Sequence, residues 1–68
     1  MDRRELEQLV TAARDAKRTY QESLRLNHGI LAITNHAAFY HHAFENLQQA
    51  TRWSLTKMFA VVNEGKDF

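Results

Sequence analysis

The sequence predicts an all-α protein, a two-helix antiparallel hairpin whose copies pair as a homodimeric four-helix bundle. Three observations carry that expectation. The 68 residues contain no proline and only two glycines. Ala, Leu, Glu, Gln, Arg and Lys, the residues that sit most easily in helices, are abundant. Apolar residues recur at steps of three and four along two long stretches, which places them on single helical faces.

The first helix is expected over about residues 2–27. Glu5 and Glu7 fall in its opening turns, where negative charge suits the positive end of the helix dipole. Leu6, Leu9, Ala13, Ala16, Tyr20 and Leu24 make its seam, and eleven charged residues between 2 and 27 cover the rest of the cylinder. Asn27-His28-Gly29 is the expected turn, because glycine and asparagine accept the left-handed backbone that ends a helix. Thr34-Asn35 is the alternative, since either residue can cap a helix start.

The second helix is expected over about residues 30–62, with only Glu45, Arg52 and Lys57 charged. Ile33, Ala37, Tyr40, Phe44, Leu47, Leu55, Met58 and Val62 form its main stripe. Phe39, Ala43, Ala50, Trp53 and Val61 widen the apolar sector to nearly half the circumference, more than one neighbouring helix covers. A turn at 27–29 sets Ala13 near Phe44, Ala16 near Tyr40 and Tyr20 near Ala37. It also leaves residues 52–62 projecting beyond the shorter arm. Pairing of two chains through the second helix accounts for both excesses. A short tail, 63–68, is expected to be disordered, with Gly65 able to terminate the helix before it.

Size and composition bound the function. One small domain of this length buries a modest share of its surface and commonly leans on a partner subunit. Without cysteine there is no disulfide, thiolate metal site or cysteine nucleophile. The opening Met1-Asp2-Arg3-Arg4-Glu5 leads into no apolar core of a signal peptide, and no window is apolar enough to span a bilayer, so a cytoplasmic protein without membrane contact is expected. Nine basic against eight acidic residues give little of the electrostatic footprint of a dedicated nucleic-acid binder. No serine, histidine and acid fall in a familiar catalytic arrangement and no glycine-rich phosphate loop is present. An enzyme is not expected.

The leading functional expectation is a small protein–protein interaction module, an inhibitor, adaptor or regulatory modulator of a second protein, of the kind encoded by phages and other mobile elements. Its interface, with itself or that partner, is expected at Phe39, Tyr40, Phe44, Leu47, Trp53, Leu55, Met58 and Phe59, since aromatics and methionine dominate protein contacts. The alternative is a nucleic-acid-binding bundle that grips phosphates through a basic face of Arg14, Arg18 and Arg25. A third reading, less favoured, is a metal site from His41, His42 and Glu45, whose spacings of four and three suit ligation from one helix face. His41 and His42 diverge by about 100 degrees on a helix, which opposes convergence. No cofactor is expected.

Overall fold

The computed structural model describes residues 2–68 and contains three helices: α1, Arg3–Leu26; α2, Ile30–Thr51; and α3, Leu55–Val62. Asp2 caps α1, its carboxylate accepting a hydrogen bond at 2.8 Å from the Glu5 amide. The helix ends at Asn27, which adopts the left-handed conformation (φ 53°, ψ 57°). There the His28 amide donates to the Ser23 carbonyl and the Asn27 amide to the Leu24 carbonyl, the paired bonds of a Schellman motif. Gly29 follows at φ 99°, a value that L side chains rarely adopt, and its carbonyl accepts from the Ile33 amide to open α2. The chain therefore turns at 27–29, and Thr34 and Asn35 lie inside α2.

The expected single helix from 30 to 62 is two helices. Arg52 turns left-handed (φ 57°, ψ 27°), its amide donating to the Gln48 carbonyl. That geometry costs a non-glycine residue about 1–2 kcal/mol. Neighbouring hydroxyls hold the break. Thr51 Oγ1 donates to the Leu47 carbonyl at 2.8 Å and accepts from the Trp53 amide, while Ser54 Oγ accepts from the Lys57 amide and caps α3. Ser54, inside the single helix expected over 30–62, is a helix start.

The bend returns α3 to α1. Val10, Ala13, Leu47, Met58, Val61 and Val62 form the closed core, with Leu6, Leu9, Tyr40, Ala43, Phe44, Trp53 and Phe68 packed around it. Met58, Val61 and Val62 thus complete the chain's own interior instead of overhanging it. Near the turn the α1 seam passes to Ser23, which is fully buried, while Leu24 is half exposed. Steps of four and three from Ala13 through Ala16 and Tyr20 lead to 23 as readily as to 24. A hydroxymethyl group also lets the two helices approach more closely than leucine would. Among the described residues the Ser23 hydroxyl has no hydrogen-bond partner.

The tail folds back along the chain, where Arg14 donates to the Lys66 carbonyl. Gly65 at φ 69° turns the chain, and the Phe68 ring packs 6.0 Å from Trp53 beneath the Arg3 guanidinium, 4.8 Å away. Among the described residues no helix is long and apolar enough to cross a membrane.

Candidate protein-interaction surface

Two basic side chains that belong to the candidate phosphate-binding face, or adjoin it, instead fasten α3. Arg14 Nε donates to the Val61 carbonyl at 3.0 Å and its Nη2 to the Lys66 carbonyl at 3.0 Å. Lys17 Nζ donates to the Asn63 carbonyl at 3.2 Å. These oxygens lie at and beyond the C-terminal end of α3, where carbonyls lack helical partners and positive charge is favourable. The other two arginines are exposed but lie beside acids: Arg18 donates to Asp15 at 2.6 Å, and Arg25 lies 3.8 Å from Glu22. The line Arg14, Arg18, Arg25 is consequently not an array of unengaged charges.

The histidines do not converge either. His41 Nε2 lies 3.1 Å from Glu45 Oε1 on the exposed side of α2, while the His42 ring stands 6.3 Å from that of His41 and tilted by 61°. Among the described residues no three His, Cys, Asp or Glu side chains are grouped to hold one metal ion.

With α3 fastened, aromatic side chains from all three helices meet. Tyr40 and Phe44, one turn apart on α2, pack edge to face at 6.1 Å, Tyr20 of α1 lies 6.2 Å from Tyr40, and Phe59 of α3 lies 5.7 Å from Phe44. With Ala37 and His41 these residues line an open groove of about 250 Å³. The Tyr40 hydroxyl donates to Asn63 Oδ1 at 3.1 Å, tying the groove to the end of α3. Burial of the Tyr40 phenol raises its pKa above the ordinary 10.0, because the charged phenolate is disfavoured away from water. Tyr40 is therefore a neutral, donating edge of the groove at physiological pH.

Of the eight residues expected at interfaces, Tyr40, Phe44 and Phe59 come together in this groove, and Leu55 is exposed one turn before Phe59. Leu47 and Met58 are wholly buried within the chain and offer nothing to a partner, which corrects the expectation for both. Trp53 is half covered, with Phe68 on one side and the Lys57 ammonium 4.6 Å from its ring centroid. Phe39 faces another flank of α2, 73% exposed, beside a shallow hollow bounded by Asn35, Ala38 and His42.

Sequence reasoning placed Tyr20 and Ala37 in the helix seam. The signal for the groove was nonetheless there: the turn at 27–29 sets Tyr20 against Ala37, and a bulky ring facing a methyl group leaves space beside it. Nothing in the periodicity showed that Phe59 would join them, since that depends on the bend at Arg52. Compared with protein-family models, curated proteins and solved structures, the chain matches none of them.

Proposed function

We propose that this chain is a protein–protein interaction module: a helical hairpin that pairs with a second copy through α2 and receives an apolar side chain of another protein in its aromatic groove. Through that contact it acts as an inhibitor, adaptor or regulatory modulator. The observation that carries this reading is the groove of Tyr20, Tyr40, Phe44 and Phe59, which stays open although the chain has closed a core of its own.

A volume of about 250 Å³ is below the roughly 300–1,000 Å³ of ordinary small-molecule sites, and it suits one or two side chains. Rigid aromatic walls lose little conformational freedom on binding, and such surfaces supply most of the energy at protein interfaces. An amphipathic partner helix, anchored through Leu- or Phe-like residues spaced by three and four, fits this geometry. The nucleic-acid alternative has less support because Arg14 is committed to the Val61 and Lys66 carbonyls.

The test compares partner capture by the native chain, by Phe59→Asp, and by the double variant Arg18→Ala with Arg25→Ala, each checked for helical content by circular dichroism. A partner held by the native chain and the arginine variant but lost by Phe59→Asp supports the groove. One lost only by the arginine variant, with binding that falls steeply with salt, would replace this reading with an electrostatic one.

A further inference from the structure

Beside the stripe that packs on α1, α2 carries a second periodic line: Ala32, His36, Phe39, Ala43, Asn46 and Ala50, separated by four, three, four, three and four residues. Alternating threes and fours are the spacing of a helix seam. Phe39 is 73% exposed and Asn46 and Ala50 are exposed, while Ala32, His36 and Ala43 are half-buried at the margin of the intrachain contact.

The order of residues along this line is self-complementary. When two copies of α2 run antiparallel, with Phe39 opposite Ala43 of the partner subunit, His36 falls opposite Asn46 of the partner subunit and Ala32 opposite Ala50 of the partner subunit. The large ring meets a methyl group, polar meets polar and small meets small. Each pair also joins unlike heptad positions, as antiparallel seams require. A parallel arrangement in register keeps small on small and polar on polar but loses the match of ring with methyl, since it sets Phe39 on Phe39 of the partner subunit.

Charge favours the same pairing. Glu45 is the one formally charged residue in the twenty-two of α2, and it is not on this line; α1 carries ten in twenty-four. Two copies of α2 therefore meet with almost no charge to desolvate, whereas two copies of α1 would each bring six cations and four anions to the contact. We propose that α2 is a self-pairing seam, through which two chains associate antiparallel by Ala32, His36, Phe39, Ala43, Asn46 and Ala50. The seam extends about 27 Å at 1.5 Å per residue. Its alanines admit interaxial distances at the short end of the usual 8–10 Å range. This deepens the self-pairing part of the proposed function by assigning its face, direction and register; the aromatic groove is left on another side.

The chain has no cysteine, so introduced thiols report without background. Chains carrying Ala32→Cys and chains carrying Ala50→Cys are mixed in equal amounts and mildly oxidised, and the products are assigned by mass spectrometry. A disulfide needs Cα atoms within about 7 Å, which this register provides only between positions 32 and 50 of different copies. The expected result is a mixed disulfide in large excess over either symmetric product, and a native chain with the solution mass of a dimer. Phe39→Glu should weaken self-association at least tenfold without loss of helical content.

A dimeric mass with no mixed product would overturn the register while leaving self-pairing intact. So would a symmetric product from Ala50→Cys chains alone, since this register holds the two copies of position 50 about 27 Å apart and parallel pairing in register places them together. A monomeric mass at all concentrations would overturn both, and the Phe59→Asp comparison then judges the groove alone.

Discussion

Replacing Arg14 with alanine removes the clamp that holds α3 on α1, and the size of the effect can be worked from its two bonds. The Nε bond to the Val61 carbonyl is part-buried, and a hydrogen bond from a charged donor in such a place is worth about 1.5–3 kcal/mol. The Nη2 bond to the Lys66 carbonyl is exposed to water and adds at most about 1 kcal/mol. Neutralising the C-terminal end of α3 contributes roughly 0.3–1 kcal/mol more. A loss of about 2–5 kcal/mol follows, which for a domain of this size lowers Tm by roughly 10 °C or more. Arg25→Ala is the control. Its side chain is 69% exposed and lies 3.8 Å from Glu22, so its removal should cost under about 0.5 kcal/mol. Arg14→Lys keeps the charge but cannot span two carbonyls with a planar fork, and should recover less than half of the loss. Thermal melts followed by circular dichroism measure all three, and amide exchange should show α3 opening first. If Arg14→Ala melts with Arg25→Ala, Arg14 is not a clamp and becomes available again as a phosphate contact.

Further expectations follow from single atoms. Ser23→Ala removes a buried hydroxyl that has no partner, and should stabilise the fold by about 1 kcal/mol, read as a higher urea midpoint with an unchanged slope. Ser54→Ala deletes the cap of α3 and should destabilise by about 1 kcal/mol, a Tm loss of roughly 4–8 °C, with earlier amide exchange in residues 55–62. Tyr40 has its pKa raised by burial, so the folded state holds the phenolic proton more tightly than the unfolded chain. Its contribution is fully present below pH 10.0 and is lost as pH rises through the higher folded value. Melts of Tyr40→Phe against the native chain across that alkaline range should show the native curve falling more steeply.

The parts of the fold legible in the sequence are those set by local pattern. The turn at 27–29 could be read because Asn27 and Gly29 both adopt positive φ, the one property that distinguishes them from their neighbours. Helix packed on helix could be read from the spacing of Ala13, Tyr20, Tyr40 and Leu47. The bend at Arg52 was hidden because arginine favours helices and gives no sign of a left-handed turn. The available signal was the pair Thr51 and Ser54, two hydroxyl side chains three residues apart, one closing α2 and the other opening α3. Periodicity is blind to such a break when the apolar spacing continues across it, as it does from Leu47 through Leu55 to Met58.

That bend decides which apolar residues remain for a partner. In an unbroken second helix, Trp53, Leu55, Met58, Phe59 and Val62 would project together, and the most economical cover would be a second chain laid over that end. In the bent chain Met58, Val61 and Val62 are spent on Val10 and Ala13, and Trp53 is covered by Phe68. Besides Leu24, Leu26, Ile30 and Leu31 around the turn, two separated remainders are left: Phe59 and Leu55 beside the Tyr40 and Phe44 rings, and Phe39 with its line of small residues on another flank of α2. One surface is aromatic and concave; the other is narrow, straight and nearly free of charge. Their shapes call for different occupants, a side chain inserted into a pocket and a helix laid alongside a helix. A chain that self-pairs through Phe39 thus keeps a groove vacant in each copy, and a dimer would present two of them to a second protein, in which case Phe39→Glu should weaken capture through lost bivalency while Phe59→Asp abolishes it.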